Sequence, residues 1–210
     1  MVHQWEVLKR LPRPECSPER ARAAAECVTP IHSAATVILV DDTARVWMMR
    51  RVSSMVFAAG AWVFPGGRVE DDDVDPDPIR AAAVRECAEE TGVELDPHEL
   101  LPWMRWTTPP GHPRRYDTHF FVASGIGLEP QNPSTEADAA RWWRPSEMLA
   151  SSETFLPPTR AVLIELTDHA DWDSVRRATE GRIVEGFTPR IIERDGRFHF
   201  TYPDETGVWT

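Results

Sequence analysis

The octapeptide RECAEETG, residues 85 to 92, gathers Arg85 with Glu86, Glu89 and Glu90. On a helix, residues three and four apart are neighbours, so Glu86 faces both Glu89 and Glu90. Like charges at that spacing destabilise a helix by roughly 0.2–0.5 kcal/mol per pair. A cation offsets that repulsion. Carboxylate oxygens from successive turns can converge on a hard divalent ion such as Mg²⁺, which takes oxygen ligands and keeps some of its waters. Phosphate oxygens of a substrate would complete the shell. Arg85, four residues before Glu89, is placed to hold that carboxylate. Upstream, Gly66-Gly67 brings bare backbone toward the same helix, and the Gly67 carbonyl is a candidate further ligand. A solvated acidic face is the bland alternative for an isolated ExxEE; the glycine turn, the arginine and Gly92 sharpen the metal reading.

The elements that must position these groups follow from local signals. Asp77 is an N-cap with Pro78 at the first helical position, and Gly92 ends the helix as a left-handed cap. Its apolar face holds Ile79, Ala82, Ala83, Val84 and Cys87, with the glutamates mainly on another face. Ser33–Val40 reads as a buried strand, paired in a hairpin with Arg45–Arg50 across Asp41-Asp42. A loop spans Val52–Gly60, and a short strand then runs into the sharp turn at Pro65-Gly66-Gly67. Further strands are expected at Leu101–Thr107, Tyr116–Ala123 and Ala139–Trp143. Helices are expected at 145–150, Pro158–His169 and Trp172–Thr179. Asp195-Gly196 predicts a closing hairpin within Pro189–Tyr202. Residues 1–30 read as an N-terminal extension, 31–156 as the main domain and 157–210 as a helical and hairpin addition. Strands and helices mix without strict alternation, which makes the fold α+β.

The whole chain limits what such a site can serve. Its 210 residues are 41% apolar and 27% charged, within the range of a globular protein that buries a core. The net charge of −11 argues against nucleic-acid binding. No apolar run spans a bilayer, and Trp5, Glu6 and Lys9 interrupt any leader-like stretch, so no membrane association and a cytoplasmic location are expected. Cys16, Cys27 and Cys87 form neither a disulfide framework nor a zinc spacing.

The acidic helix resembles the signature of the Nudix hydrolases, G-x5-E-x7-R-E-U-x-E-E-x-G-U, where U is a bulky apolar residue. Gly67, Arg85, Glu86, Cys87, Glu89, Glu90, Gly92 and Val93 match it in type and order. The departure is in the loop: that family has thirteen positions between its first Gly and the Arg, and this chain has seventeen. Counting forward from Gly67 puts the first acidic position at Asp73, whereas counting back from Arg85 puts it at Asp77. Either residue is Asp, and no metal role is assigned to it. The resemblance covers about residues 33–150. It implies an αβα sandwich around a mixed β-sheet, with Mg²⁺ or Mn²⁺ held by Glu86, Glu89, Glu90 and Gly67. It also implies hydrolysis of a nucleoside diphosphate joined to another moiety. MMRRVSSMVFAAGAWVFPGGRVE, PRRYDTHFFVA and LPPT resemble the branch related to peroxisomal coenzyme A diphosphatases.

Water attack on one phosphorus is the expected chemistry, with Arg85 in the catalytic helix and Glu89 or Glu136 as general base. Arg50, Arg51, Arg114 and Arg115 are phosphate candidates, since Arg binds phosphate bidentately; surface ion pairing competes for each. Coenzyme A or an acyl derivative is the leading substrate. ADP-ribose, NADH and nucleoside triphosphates are alternatives, as is a nucleotide sensor without turnover. All three box carboxylates are present, which favours the enzyme. Two readings stay open for the segment from 157: a cover over the substrate opening, or a homodimer contact.

Overall fold

The apolar run Ser33–Val40 lies at the centre of a sheet with both faces covered. Ile38 and Val40 enter one core cluster, while Ala35, Val37 and Leu39 enter another, as strand alternation requires. A computed structural model of the chain describes residues 4–54, 58–74, 76–132, 135–204 and 206–209. Met55–Phe57 of the expected loop and Asp75 of the acidic loop lie outside the described residues.

The strands are β1 (Glu15–Cys16), β2 (Ile31–Val40), β3 (Val46–Arg51), β4 (Trp62–Val63), β5 (Gly66–Arg68), β6 (Leu101–Thr107), β7 (Arg115–Ser124), β8 (Ala137–Trp143), β9 (Gly186–Phe187), β10 (Arg190–Arg194) and β11 (Arg197–Thr201). The helices are α1 (Gln4–Lys9), α2 (Pro18–Ala25), α3 (Pro78–Thr91), α4 (Pro145–Ala150), α5 (Pro157–Leu166) and α6 (Trp172–Thr179). The main sheet is mixed and runs β4-β3-β2-β7-β6-β9, with β5 also on β2 and β8 also on β3. β2 and β7 are parallel, paired from Ile31↔Arg115 to Val40↔Ser124.

α3 covers one face through Ala82, Ala83 and Cys87. The opposite cluster takes Ala161, Val162, Leu163 and Leu166 of α5, with Val175 of α6. The fold is therefore an αβα sandwich of α+β class. Among the described residues no helix is long and apolar enough to cross a membrane.

One expectation changes. The hairpin of β2 with β3 closes only at Val40↔Val46. Asp41 caps the tight turn by accepting from Thr43 and Arg45 backbone N–H groups at 2.9 and 2.8 Å, after which the strands part. Their edges are taken elsewhere: β5 pairs with β2, and β8 and β4 pair with β3. The described residues among the first thirty pack against the rest of the chain. Val7, Leu8 and Leu11 are buried in the same cluster as α5, and Glu15↔His199 and Cys16↔Phe198 join β1 to the closing hairpin in a three-stranded sheet. That hairpin turns where expected, with Asp195 and Gly196 at φ of 52° and 73°.

Candidate active site

The site grows from the contact between the glycine turn and α3. Pro65 O accepts from Val37 N–H at 2.9 Å, which lays Gly66–Arg68 along β2. Gly66 has φ 154°, and a Cβ there would collide with Ala35 O and Thr36. Its N–H donates to Glu90 Oε2 at 2.8 Å. A Cβ on Gly67 would collide with the Glu86 carboxylate. Two adjacent glycines thus seat two helix carboxylates, one by donating to it and one by leaving room for it.

α3 forms as its ends dictate. Asp77 Oδ1 accepts from the N–H groups of Ile79 and Arg80 at 3.2 Å, and Gly92 closes the helix at φ 71°. Ala82, Ala83 and Cys87 dock on β2, and this rotation carries Glu90 inward, to 8% exposure. The expectation that the glutamates share another face holds for Glu89, whose side chain is 60% exposed, and fails for Glu90. Burial is the main cause that raises the Glu90 pKa to about 7; the charges of Glu86 and Glu136 add to it, and the Gly66 N–H and Arg51 oppose it. Burial also raises the Glu86 pKa, with Arg85 opposing and Glu89 and Glu70 adding.

Arg85 is the hub of the outer side. Its Nε and Nη2 meet the two oxygens of Asp73 at 3.0 and 3.1 Å, Nη1 reaches Glu86 at 2.9 Å and Glu89 at 3.3 Å, and Nη2 also donates to Arg68 O at 3.1 Å. Asp73 is held well below the usual carboxylate range, chiefly by Arg85. The forward count from Gly67 is therefore the structural one: Asp73 packs in the site, Asp77 caps the helix, and the four extra residues fall between them. No metal role is expected for Asp73 from the sequence, since by either count the position is Asp where the motif has Glu.

A cavity of about 800 Å³ opens over this floor. Glu86, Glu90, Gly67, Arg51, Glu136 and Arg114 line it. Arg51 Nη2 stands 3.4 Å from Glu136 Oε2, and its buried Nε has no partner. The strand pleat turns Arg50 elsewhere, to Asp138 Oδ1 at 2.7 Å. Arg115 is buried and donates to Thr108 O at 3.1 Å. Arg85 and Glu89 stand outside the cavity lining, Glu89 drawn off by Arg85. The geometry thus brings together Glu86, Glu90, Gly67, Arg51 and Glu136, places Arg114 elsewhere on the lining of the same cavity, and leaves Arg50, Arg115, Arg85 and Glu89 outside it.

Among the described residues no three His, Cys, Asp or Glu side chains stand as a ready-made metal centre. The donor set still suits a hard cation. The buried Glu90 and the half-buried Glu86, both with raised pKa values, repel each other, and a divalent ion between them would relieve both desolvation and repulsion. The Glu86 carboxylate packs against the bare Cα of Gly67, which brings that backbone beside the same carboxylate.

Residues 30–166 match the NUDIX domain family. The chain is 28% identical over 160 residues to the RNA pyrophosphohydrolase of Dinoroseobacter shibae, covering 68% of this chain and 94% of that one. A crystal structure of a NUDIX hydrolase from Alicyclobacillus acidocaldarius superposes with TM-score 0.63 at 27% identity, covering 73% of this chain and 97% of that one. The fold is also that of the NUDIX domain of Shewanella oneidensis NrtR, solved with ADP ribose, at TM-score 0.54 and 15% identity over 73% and 94% of the two chains.

Proposed function

Because this chain belongs to the NUDIX domain family, matched over residues 30–166, we propose that it is a divalent-metal-dependent hydrolase of nucleoside diphosphate derivatives. The observation that carries the reading is the seating of Glu86 and Glu90 by Gly66 and Gly67 at the floor of the cavity.

When bound, Mg²⁺ or Mn²⁺ supplies neutralisation of phosphate oxygens and acidification of water. Glu86, Glu90 and the Gly67 carbonyl would hold it, and Glu89, now bonded to Arg85, would be a further oxygen donor beside them. Arg85 is a positioning residue: it fixes Glu86 and ties the helix to Asp73. Arg51 offers its unpartnered Nε to a phosphate oxygen, a charge-assisted bond that also satisfies a buried donor. Glu136 is the stronger candidate for general base, since it lines the cavity beside Arg51 and Glu89 does not. It would take a proton from the attacking water while the leaving phosphate departs. Catalysis is then positioning plus charge stabilisation, without a covalent intermediate.

Coenzyme A and its acyl derivatives are the first substrates to test, with ADP-ribose, NADH and nucleoside triphosphates beside them. The test is product identification by mass after incubation with each compound and Mg²⁺ or Mn²⁺. Cleavage at a diphosphate, lost on chelation and in Glu90→Gln, is the expected result. Metal-independent cleavage, or full turnover in Glu90→Gln, would refute the reading.

A further inference from the structure

The cavity extends past the carboxylates, and its far end is built by both chain termini. Residues 116, 118 and 120 of β7 alternate onto the cavity face, so the floor is continuous from one end to the other. Thr36 pairs with Gly66 and His32 with Tyr116, so the aromatic level stands four residues, or about 13 Å, along β2 from the glycine turn. That span exceeds a diphosphate and suits a diphosphate with a nucleoside joined to it.

At the far end Tyr116, Phe200 and Tyr202 line the wall with Arg20, His112 and Arg114. Pro14 O accepts from Phe200 N–H at 3.1 Å, tying the N-terminal segment to β11. The Arg20 guanidinium lies 4.9 Å from the Phe200 ring centre, and its Nη2 is 2.9 Å from His112 Nε2. Among the described residues neither Arg20 nor Arg114 has a carboxylate partner, in a chain of net charge −11. The carboxylates that line the cavity are Glu86, Glu90 and Glu136, all near the glycine turn. The far end is therefore aromatic and cationic with no lining carboxylate, while the near end carries the three carboxylates together with Arg51 and Arg68.

We propose that this far end is a specificity subsite for an aromatic base whose nucleoside carries a further anionic group, received by Arg20 and Arg114. The inference rests on the hydrolase reading for the orientation of the substrate. A planar base lies on aromatic faces at little entropic cost, and an arginine fork suits a phosphate or a carboxylate alike. The terminal segments thus choose the substrate, and the acidic helix and glycine turn cleave it.

The test compares substrates that differ by one phosphate on the nucleoside: NADPH against NADH at the 2′ position, and coenzyme A against dephospho-coenzyme A at the 3′ position. Wild type should favour the charged member of at least one pair by about tenfold in kcat/KM, the size of one charge-assisted contact. In Arg20→Gln/Arg114→Gln that ratio should fall toward one; the pair that responds identifies the position of the phosphate. A wild-type ratio near one in both pairs, or a preference that survives in the variant, overturns the proposal. A binding arm is independent of turnover: calorimetry with adenosine 3′,5′-bisphosphate and with AMP. Tighter binding of the bisphosphate, weakened in the variant, supports the subsite even if no diphosphate is cleaved and the hydrolase reading fails. Equal affinities with no charge preference in turnover would remove it.

Discussion

Arg85 holds Asp73 through two hydrogen bonds of 3.0 and 3.1 Å, on a carboxylate whose side chain is only 4% exposed. The pair fastens the acidic loop to α3 and sets the position from which Arg85 meets Glu86. Asp73 also accepts from Glu70 N–H at 2.8 Å, so the loop is bound at two points.

Replacing Asp73 with Asn should therefore cost both stability and rate. It leaves the Arg85 charge without its main partner, a loss of about 1–3 kcal/mol. Chemical denaturation of the metal-free protein checks the first effect. Turnover at saturating metal checks the second, since a merely structural loss would leave the activity per folded molecule intact.

Gly67→Ala tests the seat of Glu86. The added Cβ would meet the Glu86 carboxylate, which must then leave its position. Activity should drop by at least about tenfold, the equivalent of 1.4 kcal/mol in the barrier, while far-ultraviolet circular dichroism stays unchanged. Wild-type activity in this variant would mean that the close approach has no functional role.

The buried Glu90 predicts a pH dependence of stability. Its pKa rises from 4.5 to about 7 on folding, so the folded state binds more protons than the unfolded state between those values. Metal-free stability should therefore fall as pH rises through that window, by about 3 kcal/mol from this group. Glu86 acts in the same direction. In Glu90→Gln the decline should shrink, and excess Mg²⁺ should flatten it in wild type by replacing the proton. Tm measured across the window, with and without metal, decides this; an identical slope in wild type and Glu90→Gln would contradict it.

The C-terminal segment is held by a second buried pair. Arg182 meets Glu165 at 2.7 and 3.0 Å, donates to Trp103 O at 2.7 Å and lies 4.2 Å from the Trp103 ring centre. Arg182→Met strands the Glu165 carboxylate and should destabilise by about 3–5 kcal/mol, whereas adding Glu165→Met should recover most of it. Urea denaturation of both variants measures the difference.

The parts legible in the sequence are those governed by neighbours along the chain. Asp77, Pro78 and Gly92 mark the ends of α3 to the residue, and Asp195-Gly196 marks the last hairpin, because caps and tight turns depend on local backbone geometry. Pairings set by distant segments were not legible. β3 leaves β2 for β8, a choice made by edge competition across about ninety residues. The roles of Arg20, Phe200 and Tyr202 in the cavity carry no local signal, since they meet only when the two termini fold onto β6 and β7. Asp73 sits between these cases: the motif named it as one of two options, and only the ion pair with Arg85 chooses. Glu90 was legible as a carboxylate but its burial was not, because it depends on which face of α3 docks on β2.

The most direct test of the central claim is anomalous diffraction from crystals soaked in Mn²⁺ with a non-hydrolysable diphosphate analogue. The expected result is a manganese peak bounded by Glu86, Glu90 and the Gly67 carbonyl, with the diphosphate against it and Arg51 Nε on a phosphate oxygen. A peak elsewhere, or a bound diphosphate with Glu86 and Glu90 left in their metal-free positions and no manganese between them, would contradict it.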